Sequence, residues 1–202
     1  MFFDNDRRQQ EGRHAQEGRL PPGQALTLKW PVLHEGDIPV FDAARWDFRI
    51  FGLVENPIRL SWEEFQKLPR IRIRADFHCV TTWSKFDNEW EGVPFRVLAE
   101  MARPRPEARY VMVHADPGYT TNVPLADLMR GNVILADGHA PEPLTPEHGA
   151  PLRLVVPHLY AWKSAKWARG LDFMDRDRPG YWERVGYHMY GDPFHEQRYN
   201  GQ

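Results

Sequence analysis

Phe77-His78-Cys79-Val80-Thr81-Thr82-Trp83-Ser84-Lys85 contains the single cysteine of this 202-residue chain. A lone thiol forms no internal disulfide, so Cys79 is either inert packing or chemistry. Free cysteine is among the most buried residue types, and packing is the plain reading. The neighbours favour chemistry. Ile71-Arg72-Ile73-Arg74-Ala75-Asp76-Phe77 alternates apolar and charged residues, the pattern of a half-buried strand. Just after the sulfur the chain changes to Thr81, Thr82, Trp83 and Ser84, then Lys85, Asp87 and Asn88. A core strand would continue apolar. A thiolate at the mouth of a polar, aromatic pocket fits this pattern better than a buried methyl substitute.

Around this stretch the pattern is strand-rich. Trp46 to Val54 alternates like a strand and ends before Asn56-Pro57. Ser61-Trp62-Glu63-Glu64 reads as a capping box opening a short helix, which Pro69 stops. Pro94 starts a second helix, with Val97, Leu98 and Met101 at helical spacing. Strands are expected over 110–115, 133–136, 152–157 and 165–173, and a short helix over 124–129. Asp116-Pro117-Gly118-Tyr119 is a turn by composition, and Pro141, Pro143 and Pro146 mark a rigid loop. The expected organisation is a flexible polar tail over 1–20 and one domain over 21–202. The tail could also be an arm that orders on a partner.

Composition limits the function classes. Lys and Arg number 26 against 28 Asp and Glu, which gives no support for nucleic-acid or membrane-surface binding. Eight Trp offer large flat surfaces for a core or a heterocyclic ligand, and 18 Pro argue against a helical bundle. No apolar run is long enough for a transmembrane helix. No apolar segment follows Arg7-Arg8, so an export signal is not supported and a cytoplasmic location is expected. No haem-attachment motif, cysteine cluster or dinucleotide-binding glycine pattern is present, so a redox role would require a separate electron-transfer protein.

A second informative stretch is His148-Gly149-Ala150-Pro151-Leu152-Arg153-Leu154-Val155-Val156-Pro157, followed by Lys163-Ser164-Ala165-Lys166-Trp167. It can be read as a core strand with solvated lysines. It can also be read as anion capture, with Arg153 as a planar fork and lysine as a point charge, in a chain without a glycine-rich phosphate loop.

Taken together, Cys79-Val80-Thr81-Thr82-Trp83-Ser84, Trp90-Glu91-Gly92-Val93-Pro94 and the His148–Lys166 stretch resemble the sulfite oxidase family of molybdopterin-binding oxidoreductases. The likeness is to its bacterial single-domain branch, which includes the catalytic subunit of protein-methionine-sulfoxide reductase. The resemblance implies an α+β, mixed, strand-rich molybdopterin-binding domain that catalyses oxygen-atom transfer to or from a small substrate. It implies a molybdenum-molybdopterin cofactor with Cys79 as metal ligand, since soft thiolates suit that metal. It places His148, Arg153, Ser164 and Lys166 on the pterin and its phosphate. Asp116 falls where relatives carry a polar cofactor-contacting residue. Tyr187, five residues after Trp182, falls beside the exchangeable oxygen, with Tyr190 as a competing candidate. Trp30 and His34 fall in a loop that covers the pterin. Where animal and plant sulfite oxidases carry arginines after the cysteine, this chain has Thr82, Trp83 and Lys85. That departure puts sulfite in doubt; a sulfite-like oxyanion in the oxidising direction and an S- or N-oxide in the reducing direction both stay open. Two other readings stand beside this one: a non-catalytic binding protein with a structural Cys79, and a His-metal hydrolase. No His-x-x-x-His or Cys-x-x-Cys spacing supports the latter.

Overall fold

The computed structural model describes residues 2–201, with side chains from residue 8 onward. Met1 and Gln202, the outer ends of the expected tail and domain, lie outside the described residues. The fold consists of two sheets with a shared core. Strands β1 (Ala25–Leu26), β4 (Ile71–His78), β5 (Trp83–Pro94), β8 (Ile134–His139), β9 (Glu142–Pro143) and β10 (Arg153–Val155) form the first. Strands β2 (Asp47–Gly52), β3 (Ile58–Ser61), β6 (Tyr110–Ala115), β7 (Tyr119–Pro124) and β11 (Ala168–Met174) form the second, in the order β3-β2-β11-β6-β7.

Strand β5 organises the first sheet. Along one edge it pairs antiparallel with β4, from Ile71↔Gly92 to His78↔Ser84. The other edge is shared: β1 pairs parallel at Trp83 and Ser84, and β8 pairs antiparallel from Trp90 to Pro94. The chain therefore turns sharply between His78 and Trp83, and Cys79 sits in that turn.

Alternation along the strands sorts side chains between two cores. Leu135, Leu152 and Leu154 face the main core, with Phe48 and Ile50 of β2, Val111 and Val113 of β6, and Leu171 and Phe173 of β11. Ile134, Ala136 and Val155 face the other way, onto Phe77 and Trp90. Arg153, one residue from Leu154, is directed by the same alternation to the second face.

Several local expectations hold. Helix α2 (Trp62–Gln66) has both reciprocal bonds of its capping box: Glu64 N to Ser61 Oγ at 3.3 Å, and Ser61 N to Glu64 Oε2 at 2.8 Å. Helix α3 (Phe95–Ala102) buries Phe95, Leu98 and Ala99. Strands β3 and β7 and most of β5 were not expected, because their polar residues hide the period. Residues 2–16, expected as a tail, form helix α1 (Phe2–Gln16), and Glu11 Oε1 accepts the Leu26 N–H at 2.9 Å. Helices α4 (Leu125–Leu128) and α5 (Tyr181–Arg184) are single turns. No described helix is long and apolar enough to cross a membrane.

Candidate active site

The turn holding Cys79 is closed by its own backbone. Thr82 N donates to Cys79 O at 3.0 Å, and Cys79 N donates to Trp83 O at 2.9 Å. Thr82 has φ +71°, a left-handed conformation that a β-branched residue seldom adopts. Cys79 is 7% exposed, and its Sγ lies 3.1 Å from Thr81 Oγ1. Burial raises the thiol pKa, while the Thr81 hydrogen bond and the charge of Lys166 act in the opposite direction. Val80, Tyr160 and Trp162 pack with the sulfur, flanked by Trp83, Trp182 and Tyr187, so its apolar neighbours are largely aromatic.

This turn forms one wall of a cavity of about 310 Å³. The cavity brings together Cys79, Arg153, Ser164, Lys166 and Tyr187, which are far apart in the chain, and Trp30 and His34 also line it. Among the described residues no group of three or more His, Cys, Asp or Glu is placed to hold a metal ion. A metal here would need ligands beyond the protein.

Two buried cations in this region differ in kind. Lys163 is fully buried, and its Nζ lies 2.6 Å from Glu183 Oε1. It also donates to Asn122 Oδ1, Asn122 O and Met189 O. Its charge is matched within the fold. Arg153 is 2% exposed and donates only to backbone carbonyls, from Nη1 to His148 O at 2.8 Å and from Nη2 to Ser164 O at 3.0 Å. Its Nε is buried without a partner, and its guanidinium lies 5.2 Å from the centres of the Phe77 and Trp90 rings. Burial lowers its pKa to about 9. A buried charge is normally paired, and no described carboxylate pairs with Arg153. An anion entering the cavity would complete it.

The neighbours of Arg153 support the same reading. Lys166 Nζ donates to Leu33 O at 2.7 Å and Glu147 O at 2.6 Å. Burial, aided by the Arg153 charge, lowers its pKa to about 7. Ser164 Oγ accepts the Val156 N–H at 2.9 Å, which leaves the hydroxyl proton to donate. The His148 ring is stacked 3.7 Å from Trp30, and its Nδ1 is buried without a partner. Burial, then Lys166 and Arg153, lower its pKa to about 4, so it is neutral. A Cβ on Gly149 would come within 3.1 Å of Arg153 Cβ and 3.2 Å of the Lys166 backbone, at φ +115°. The left-handed φ and this close approach of two chain segments both favour glycine here.

Tyr187 stacks on Trp182 at 4.9 Å and meets Trp162 edge-on at 5.1 Å. Burial and the nearby Tyr199 raise its pKa, so its phenol remains a proton donor. Three expected residues are not among the cavity residues: His148, which meets the lining through Trp30 and Arg153, and Asp116 and Tyr190, which lie elsewhere. Asp116 Oδ2 accepts from Arg169 Nη1 at 2.8 Å and lines a second cavity of about 320 Å³, which shares Trp167 as a wall. The Asp-Pro-Gly turn leads the chain back into β7 and directs Asp116 away from Cys79. Tyr190 Oη donates to Asp127 Oδ1 at 3.2 Å and is not among the cavity residues. Sequence reading missed the Lys163–Glu183 pair, whose Oε1 also accepts Trp162 Nε1 at 2.8 Å and so orients a cavity wall. A lysine and a glutamate twenty positions apart carry no signal of being paired.

Residues 35–182 match the family described as the oxidoreductase molybdopterin binding domain. The chain is 51% identical over 185 residues to the uncharacterized oxidoreductase YuiH of Bacillus subtilis, covering 91% of this chain and 93% of that one. It is 32% identical to the protein-methionine-sulfoxide reductase catalytic subunit MsrP of Campylobacter jejuni, covering 75% of this chain but 56% of that one. Among solved structures, the sulfane dehydrogenase SoxCD of Paracoccus pantotrophus matches with a TM-score of 0.67 at 25% identity, over 76% of this chain and 43% of that one. The two-sheet fold, the cavity with its thiol and unmatched guanidinium, and these likenesses agree: the chain belongs to the sulfite oxidase family of molybdopterin-binding oxidoreductases.

Proposed function

We propose that this oxidoreductase transfers an oxygen atom between water and a small neutral S-oxide, with Cys79 as thiolate ligand to the molybdenum. The observation that carries this reading is a single cavity holding both the only thiol and a buried guanidinium without a carboxylate. When bound, molybdenum-molybdopterin supplies the two-electron chemistry of oxygen-atom transfer. The chain supplies binding, orientation and protons. Arg153 and Lys166 would hold the anionic end of the pterin group, with Ser164 and the neutral His148 as additional hydrogen-bonding groups. Trp30, stacked on His148, would cover that end. Tyr187 would donate a hydrogen bond to oxygen at the Cys79 end.

The aromatic surroundings of Cys79 support the choice of substrate class. Val80, Trp83, Tyr160, Trp162, Trp182 and Tyr187 carry no charge. Lys85 donates to Asn88 Oδ1 at 2.7 Å and is not a cavity residue, and with Arg153 and Lys166 engaged by the pterin end no further lysine or arginine among the described cavity residues is left for a small oxyanion. A neutral sulfoxide meets apolar walls and one phenol donor. In the reducing direction its S–O bond breaks, two electrons and two protons enter, and a thioether and water leave. A separate electron-transfer protein would deliver the electrons near Tyr187, where Val185 and Tyr199 are exposed.

The test is molybdenum analysis and pterin fluorescence of the purified protein. Turnover of methionine sulfoxide with a reduced dye is then compared with sulfite oxidation by a one-electron acceptor. Bound molybdenum with sulfoxide reduction is expected. Protein lacking both metal and pterin after expression in a molybdopterin-producing host would refute the reading. Faster turnover of sulfite would refute the substrate class alone.

A further inference from the structure

The family match spans residues 35–182, and the turn carrying Cys79 is not held from within that span alone. Its carbonyls are held by residues from outside that span at both ends of the chain. Gln24 Nε2 donates to Cys79 O at 3.1 Å. Gln24 Oε1 accepts from Ser84 Oγ at 3.3 Å, and Ser84 Oγ is 2.8 Å from His78 Nδ1. His78, Ser84 and Gln24 are all buried. With the Ser84 proton on Gln24, the serine oxygen accepts from His78 Nδ1–H. The bonds then run in one direction, from the His78 ring through Ser84 and Gln24 to the Cys79 carbonyl, closing a ring around the peptide between His78 and Cys79.

The adjoining residues fasten this ring. Ala25 N donates to Thr82 O and Thr27 N to Ser84 O, each at 2.9 Å. Arg19 forks onto Asp76, with Nε to Oδ2 at 3.0 Å and Nη2 to Oδ1 at 2.8 Å. From the other end of the chain, Arg198 Nη1 donates to Val80 O at 2.7 Å.

We propose that residues 19–27, together with Arg198, form a clamp on the ligand turn, with Gln24 as the positioning residue that fixes the Cys79 backbone. The proposal rests on the reading of Cys79 as metal ligand. The physical reason is the geometry of the turn. A thiolate ligand must be held to a fraction of an ångström, and ligands are oriented by hydrogen bonds from the surrounding shell. The turn contains a left-handed threonine, a strained conformation that persists only where its surroundings over-determine it. Two of the carbonyls in that turn, Cys79 and Val80, take their side-chain donors from the clamp.

The test uses the full-length protein prepared without cofactor, in which Cys79 is the only thiol available to iodoacetamide. Gln24→Glu removes the bond to Cys79 O but can still accept from Ser84, Gln24→Leu removes both Gln24 bonds, and Arg198→Met removes the bond to Val80 O. Alkylation about five- to tenfold faster than wild type is expected, the effect of one lost hydrogen bond on local opening. Thr82 amide exchange, measured in cofactor-loaded protein, should accelerate in parallel while Tm moves by only a few degrees. If Gln24→Leu does not fold, Ser84→Ala interrupts the same chain at its middle. Folded variants that alkylate and exchange at the wild-type rate, whatever their Tm, would overturn the clamp. Because alkylation needs no cofactor, a wild-type protein that never binds molybdopterin would refute the active-site reading without altering this result.

Discussion

Replacing Arg153 by methionine separates a residue kept for a ligand from one kept for the fold. Burial lowers the arginine pKa from 12.5 to about 9, which corresponds to roughly 5 kcal/mol against the charged form. Arg153→Met removes that penalty and fills much of the space with an adaptable apolar chain. It also strips the donors from His148 O and Ser164 O, at about 1–3 kcal/mol for each carbonyl left buried and unpaired. The two effects nearly cancel. The cofactor-free variant should therefore unfold between about 3 kcal/mol above and about 1 kcal/mol below wild type, when cutting into an ordinary buried ion pair costs about 3–5 kcal/mol. Wild type should gain stability on binding cofactor by linkage, and the variant should gain little. Urea unfolding of both proteins, with and without cofactor, together with pterin content, measures this. A cofactor-free variant weaker than wild type by more than about 3 kcal/mol, or one that retains full pterin, would show that Arg153 serves the fold.

Lys163→Met should behave in the opposite way, losing about 3–5 kcal/mol because Glu183 is left buried without its ammonium, with Tm lower by roughly 6–20 °C; adding Glu183→Leu should recover part of the loss, and a calorimetric scan of the three variants decides it. Cys79→Ser should abolish sulfoxide turnover while leaving the fold and some bound pterin, since serine is a poor ligand for a soft metal; an unchanged molybdenum EPR spectrum would count against the ligand assignment. Lys166 has a folded pKa of about 7, below its unfolded 10.5. The unfolded chain then binds more protons between those values, and this residue makes stability rise with pH across that window. Anion binding needs the ammonium and should weaken over the same rise, so phosphate affinity measured calorimetrically below and above about pH 7 should fall in wild type and stay level in Lys166→Arg.

The sequence alone carried the local chemistry. The Ile71–Phe77 alternation predicted the strand that delivers Cys79, and Ser61 with Glu64 predicted the start of α2, because both patterns are read within a few residues. The motif stretches at 79–94 and 148–166 identified the family and contain Cys79, Arg153, Ser164 and Lys166, which gather in the cavity. What only the tertiary structure decided depends on pairing across long separations. Asp116 was assigned to the cofactor because a turn residue can point either way; its Arg169 partner lies fifty-three positions on, and β11 brings it there. Residues 2–16 read as a tail because a helix without an apolar face leaves no periodic signal. Gln24 is an ordinary polar residue until β1 pairs with Trp83 and Ser84 and brings its amide to the Cys79 carbonyl. Lys163 and Arg153 look equivalent in sequence; which cation has a carboxylate beside it, and which is left for a ligand, is fixed only when α5 packs against β7 and places Glu183.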